Sequence, residues 1–254
     1  MLIALIACLA YTVSVWLLYR NIPRQSTLIA AAMGVAFLAH AVQVIHDFNG
    51  LMNDVSVMNM LTLVAMCMAA IGAWRYFRHH DRITYTVVAL IAAVCVWMPV
   101  LWPAPETPVH GWALKVHIVL SIAAYIAIGF AALYACFLLL QDNRLRNGSG
   151  GLNLAIPLNE IERTMMRFAR FGEALLTLSL ATGVLFIRDI WAQHVAHKVV
   201  FGLIAWLIIG TLLFRHHYGG FRGRRAALWL LGGFVCLLLA YFGSAFVLQM
   251  ILQQ

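Results

Sequence analysis

Histidine is the residue type in this chain best suited to chemistry, because its neutral ring binds metals through one nitrogen while the other holds a hydrogen bond. The sequence contains 10 histidines, and three of them, His40, His117 and His197, fall inside or at the edge of long apolar runs. Two neutral imidazoles from different helices can bind the opposite faces of a haem iron. The pattern predicts such a site, with His117 and His40 as the metal ligands and His197 in reserve. The alternative is that each ring is a hydrogen-bonded core histidine.

Two lysines lie beside candidate ligands. Lys115 precedes His117 by two positions, and Lys198 follows His197 directly. Haem propionates are carboxylates, and cations at the same depth would pair with them. The alternative is that both lysines extend to lipid headgroups at the membrane surface.

A glycine-rich basic segment near the end of the chain is a second candidate site. His216 and His217 are followed by Tyr218-Gly219-Gly220-Phe221-Arg222-Gly223-Arg224-Arg225. Glycines allow the backbone to turn closely, and arginines such as Arg222 bind phosphate or carboxylate. The segment predicts an anion-binding turn, with lipid headgroups as an equally good partner.

Eight apolar runs must position these residues. A hydrocarbon core about 30 Å thick needs roughly 20 apolar residues per helix, and only helices satisfy the backbone within one segment in lipid. The sequence therefore predicts an all-α polytopic membrane bundle of eight transmembrane helices, in one transmembrane domain over residues 1–254. The runs lie near 2–19, 27–45, 57–77, 84–102, 114–140, 169–187, 197–214 and 226–250.

The basic residues predict the orientation. Fourteen of the 17 lysines and arginines fall in one set of alternate connections, and the other set holds only Lys115, Arg188 and Lys198. The positive-inside rule makes the crowded set cytoplasmic, which places both termini outside, on the periplasmic face. The net charge of +8 is thus explained by topology. No connection is long enough for a soluble basic domain, so nucleic acid is not an expected partner.

The cysteines bear on the kind of haem. All five lie inside apolar runs, and the sequence contains no C-x-x-C-H motif. Covalent attachment of haem to this chain is therefore not expected, and the implied cofactor is non-covalent haem b. Membrane lipids are expected partners, together with another membrane protein or a second copy of the chain.

The second half of the chain resembles the cytochrome c assembly family of CcsA, CcmC and HemX-like proteins. The segment from Leu114 to Tyr125 is similar to the family's helix with an outward haem histidine, here His117, ahead of a Ser and a Tyr. The run from His197 through Trp206 and His216 to the Gly-x-Arg-Gly turn resembles the family's closing helices. Length and predicted topology are most similar to the YpjD-type inner-membrane members. The resemblance implies haem binding at His117 and His216.

Two family features are missing, and they limit the function that can be expected. The Trp-rich outer loop of the cytochrome c synthases is absent, since only Trp191 stands in the corresponding region, and the histidine expected after the last helix is absent. We therefore expect haem handling, haem transport or electron-transfer support in the bacterial inner membrane, without transfer of haem to a cytochrome. The alternative is an accessory or regulatory subunit of a divalent-cation transporter.

Overall fold

The structure, a computed structural model, describes residues 1–20, 25–48, 56–103, 111–147, 156–186 and 196–243, without the side chains of residues 196–198 and 242–243. Within these ranges the regular structure is entirely helical. The helices are α1 Leu2–Leu18, α2 Gln25–Asp47, α3 Val57–His79, α4 Arg82–Cys95, α5 Met98–Leu101, α6 Trp112–Asn147, α7 Leu158–Phe186, α8 Ala196–Gly219 and α9 Gly223–Leu238. A π-helical turn, Leu239–Gly243, continues α9.

Seven of the described helical segments are long and apolar enough to cross a membrane: Gln25–Asp47, Val57–His79, Arg82–Leu101, Trp112–Asn147, Leu158–Leu185, Val199–Gly219 and Gly223–Tyr241. Helix α1 is apolar too but has only 17 residues. The predicted fold class, an all-α polytopic membrane bundle, is confirmed.

The chain forms two compact units, Met1–His110 and Gly111–Gln254. In the first unit, α1 packs on α2 and α4, and α3 packs on α4. Small residues allow these close approaches: an added Cβ at Gly72 would lie 2.4 Å from Val88 Cγ2. Small interface residues are typical of membrane helix pairs, where backbones approach closely. The predicted single domain over residues 1–254 stays a prediction.

In the second unit, α6 packs along α7 and α9, and α8 packs on α7 and α9. Helices α6 and α7 approach each other closely at Gly172, where an added Cβ would lie 2.6 Å from Ile128 Cγ1. Helix α9 is tied to α6 by the Tyr125 hydroxyl, which donates to the Leu237 carbonyl at 2.8 Å. Helix α7 begins at Leu158.

Candidate functional site

His117 is the sixth residue of α6, and its ring is held by the facing helix α7. Nδ1 lies 2.9 Å from the Ser179 carbonyl oxygen and 3.3 Å from Thr182 Oγ1. A carbonyl only accepts hydrogen bonds, so Nδ1 carries the ring hydrogen and Nε2 has the lone pair. Metal-binding histidines are usually oriented in this way, by donating the second ring N–H to a carbonyl or carboxylate.

Gly183 and a pair of serines complete the support of this ring. A Cβ at Gly183 would lie 3.1 Å from His117 Cε1, so the ring rests against the backbone of α7. One turn further along α6, the Ser121 hydroxyl donates to the His117 carbonyl at 2.8 Å and lies 2.7 Å from Ser179 Oγ. The ring is half-buried, and no described residue hydrogen-bonds to Nε2. This nitrogen is therefore available to bind a metal.

Lys115 and His197 lie at the same end of the second unit as His117. Lys115 is partly buried in the first turn of α6, about 200° around the helix from His117 because two positions separate them. His197 and Lys198 are in the first turn of α8, and their side chains are outside the described part. A Cβ at Gly202, five positions after His197, would contact Leu180 of α7 at 3.6 Å. The start of α8 is therefore near the part of α7 that holds His117.

His40 lies in the first unit, and its ring is fully buried. Nδ1 is 3.1 Å from the Tyr11 hydroxyl of α1, and Nε2 is 2.8 Å from Thr62 Oγ1 of α3. Both ring nitrogens of His40 are therefore engaged, in contrast to those of His117. The buried hydrogen bonds join three helices of this unit.

The Gly-x-Arg-Gly turn lies at the opposite end of the second unit. Gly220 and Gly223 have φ of 62° and 61°, which side-chain-bearing residues rarely adopt. His216 Nδ1 donates to the Phe221 carbonyl at 2.9 Å, inside the turn. Glu162 of α7 contacts this turn, and Ser179 lies 17 positions later in the same helix. This spacing corresponds to about 25 Å along the helix. The structure therefore does not bring His216 and His117 together.

The start of α9 already carries a carboxylate. The Gly223 N–H donates to Glu162 Oε2 at 3.2 Å, and Glu162 Oε1 lies 3.9 Å from His216 Nδ1. Arg224 binds Asn143 Oδ1 at 2.7 Å, whereas Arg222 is exposed. A propionate or phosphate at the start of α9 would be repelled by the Glu162 carboxylate. The turn is therefore the start of α9, and Glu162 caps it. The exposed Arg222 side chain takes no part in this cap.

Sequence reasoning missed the residues that orient the candidate ligands. Ser179, Thr182 and Gly183 have the spacing i, i+3 and i+4, which places them on one face of α7. A face of small and hydroxyl-bearing residues inside an apolar span is a signal that could have identified this contact. Among the described residues there is no group of three or more His, Cys, Asp and Glu side chains that could hold a metal ion.

The described residues define a polytopic helical membrane protein in which α7 orients the imidazole of His117. The chain belongs to the cytochrome c assembly protein family, because the family model described as "Cytochrome C assembly protein" matches residues 1–252. It is 31% identical to "Inner membrane protein YpjD" of Escherichia coli (strain K12), with 98% of both chains covered. It is 27% identical to "Cytochrome c biogenesis protein CcsA" of Prochlorococcus marinus (strain MIT 9515), over 53% of this chain and 50% of that protein.

A further relative is an "Uncharacterized 28.8 kDa protein in nifR3-like 5'region" of Azospirillum brasilense, 28% identical over 76% of this chain and 72% of that protein. No solved structure matches the chain. The predicted YpjD-like membership is confirmed, and the protein is a multi-pass inner-membrane protein.

Proposed function

We propose that this protein binds b-type haem non-covalently within the membrane, with His117 Nε2 as an axial ligand. The observation that carries the proposal is the hydrogen bond from His117 Nδ1 to the Ser179 carbonyl, which fixes the tautomer that a metal requires. Family membership supports it, since the relatives include a cytochrome c biogenesis protein. A bound haem would supply one-electron chemistry or serve as cargo.

The opposite ligand is a separate part of the proposal. His40, our first choice from the sequence, would have to give up its hydrogen bond to Tyr11 or Thr62 before it could bind iron. His197 is the alternative, and its backbone lies at the His117 end of the second unit. Lys115 and Lys198 would neutralise the propionates at that end. His216 and Arg222 would serve a separate contact at the other end of the unit.

We assign the protein to haem handling, haem transport or electron-transfer support. In this role α6 and α7 hold the ligand nitrogen, and the surrounding apolar side chains exclude water from it. No described cluster of metal-binding side chains supports the alternative of a divalent-cation transporter subunit.

The visible spectrum of the purified protein tests this function. Full-length protein expressed with added haem precursor and purified in detergent should show a Soret band and, after reduction, split α and β bands of a low-spin haem. Extraction with acidified acetone should remove the haem, because no covalent bond holds it. Protein that remains colourless after incubation with haem would contradict the proposed function.

Replacement of His40 tests whether this histidine is a haem ligand or a structural residue. His40→Ala leaves Tyr11 and Thr62 without their buried partner, at a cost of about 1–3 kcal/mol for each unsatisfied group. We expect a clear fall in the midpoint of thermal unfolding. If His40 is also a ligand, the haem of the variant will be high-spin in the fraction that stays folded. An unchanged spectrum in that fraction leaves His40 as a structural residue and makes His197 the candidate opposite ligand.

We propose eight spans with both termini outside, which counts α1 as a span. In a variant lacking the five native cysteines, we expect Glu106→Cys to react with an impermeant maleimide added to intact cells and Gly148→Cys to react only after permeabilisation. Both positions lie outside the described residues. External labelling of Gly148→Cys would mean that the orientation is the reverse of the one proposed. His117 would then lie near the cytoplasmic face.

The missing Trp-rich loop leads to a further expectation. Incubated with haem, a reductant and an apocytochrome containing C-x-x-C-H, the protein should leave no haem covalently attached to the apocytochrome. A haem-staining band that survives denaturing electrophoresis at the size of the apocytochrome would instead make the protein a synthase.

A further inference from the structure

Glu173 is a buried carboxyl group of α7 that the proposed haem site does not use. It lies within the span Leu158–Leu185, and only 9% of its surface is exposed. One carboxyl oxygen, Oε2, is buried and has no hydrogen-bond partner among the described residues. The other, Oε1, lies against α8, where a Cβ added to Gly210 would be 3.1 Å away. An ionisable group at such a position in a membrane is usually functional.

Among the described residues, no cation forms an ion pair with Glu173. The sequence favours an ion pair with Arg170, three positions earlier, but the structure leaves Arg170 exposed, with Nε donating to the Met166 carbonyl at 3.2 Å. On α8, the first titratable side chains beyond Gly210 are Arg215 and His216, five and six positions away. The Arg215 guanidinium lies over the Phe221 ring, 4.9 Å from its centroid, and His216 Nδ1 donates to the Phe221 carbonyl. On α6, Ile128 packs at this level, and the nearest titratable groups are Tyr125, bound to Leu237, and Tyr134.

An unpaired carboxylate in this position would be very costly, because a charge in a low-dielectric interior needs a partner. A bound proton removes the charge and needs no coordination shell. A metal cation would need about six oxygen ligands, and the described residues place no metal-binding cluster around Glu173. The geometry therefore favours a proton as the ligand.

We propose that Glu173 is a proton-binding site inside the membrane, held as a neutral carboxylic acid that exchanges its proton. The apolar groove between α7 and α8 gives access from the lipid side. It has a volume of about 440 Å³ and includes Thr177 and Trp206 in its lining. The Thr177 hydroxyl donates to the Glu173 carbonyl at 2.8 Å and accepts from Trp206 Nε1 at 2.8 Å, so the groove begins one turn from the carboxyl. The proposal does not depend on haem.

Infrared spectroscopy of the full-length protein tests the protonation state. The difference between wild type and Glu173→Gln at pH 7 should contain the C=O stretch of one carboxylic acid, and this band should shift in D₂O because the proton exchanges. Glu160→Gln is the matched control, since Glu160 is exposed and paired with Arg163 at 3.1 Å. Carboxylate bands in the Glu173 difference spectrum, or an acid band that does not shift in D₂O, would overturn the proposal.

Chemical modification of wild-type protein provides a second test that does not require the variant to fold. Dicyclohexylcarbodiimide adds to a protonated carboxyl and rearranges to a stable N-acylurea, and its apolar rings suit the groove. Mass spectrometry of the labelled protein in liposomes should locate the adduct on Glu173 and not on Glu160. Labelling should become slower as the pH is raised. Equal labelling of both residues, or none at Glu173 at any pH, would refute a neutral exchangeable acid.

Discussion

His117→Ala should abolish the low-spin haem spectrum of the folded protein. The change removes the proposed axial nitrogen, which the Nδ1 hydrogen bond to the Ser179 carbonyl orients. It leaves the α6–α7 packing at Gly172 in place, so the protein should still fold and elute as wild type. The measurement is the Soret absorbance per protein together with the α and β bands of the reduced protein.

Substitutions of residues that contact the His117 ring distinguish the ligand from the residues that orient it. Gly183→Ala places a Cβ 3.1 Å from His117 Cε1 and should tilt the ring, and Thr182→Val removes a contact to Nδ1. Changes next to a metal ligand typically reduce affinity about 10–100-fold, so both variants should retain haem more weakly. His217→Ala is the control, because this ring is exposed near Tyr218.

Two outcomes would contradict the assignment of His117. A wild-type haem spectrum in His117→Ala would show that His117 is not a ligand, and a loss of haem confined to His197→Ala would make His197 the ligand instead.

Gly172 should tolerate substitution poorly. A Cβ there would lie 2.6 Å from Ile128 Cγ1 and 3.1 Å from the Ile128 backbone nitrogen. The side chain of Ile128 can rotate, but the backbone can move only if the helices separate. Overpacking of this kind costs about 1–3 kcal/mol, so Gly172→Ala should lower the thermal midpoint by several degrees and Gly172→Leu should prevent folding.

The matched control is Gly232→Ala in α9, where an added Cβ would have no atom within 4 Å. That variant should keep or slightly raise the midpoint, because alanine favours a helix over glycine. Tryptophan fluorescence of the detergent-purified protein during heating would follow both changes. Equal midpoints for Gly172→Ala and Gly232→Ala would mean that α6 and α7 do not approach each other as closely as described.

Hydropathy was sufficient to predict the helices, because a long apolar run in a membrane has no alternative to a helix. Two of the differences at the helix boundaries have local reasons. The run 84–102 divides into α4 and α5, with Pro99 in the first turn of α5, where its missing N–H costs nothing. Helix α6 continues to Asn147 beyond its predicted end, supported by the Arg146–Asp142 ion pair at 3.1 Å.

The site was only partly predictable. The depth of His117 follows from its place in an apolar run, but its partner depends on the register of α6 against α7. That register is set by the contact of Gly172 with Ile128, residues 44 positions apart, and no local pattern encodes it. The same is true of Glu162, whose partner Gly223 lies 61 positions further along the chain. The structure shows it capping Gly223.

All the described hydrogen bonds that orient the His117 ring come from one pair of consecutive helices. Membrane chains are made from the N-terminus, and segments that are complete can associate before later ones emerge. The pair α6 and α7 can therefore fix the imidazole before α8 has been synthesised. An opposite ligand on α8, such as His197, would be synthesised after this pair. Haem would then enter the site after α6 and α7 have oriented His117 and before α8 and α9 have packed together.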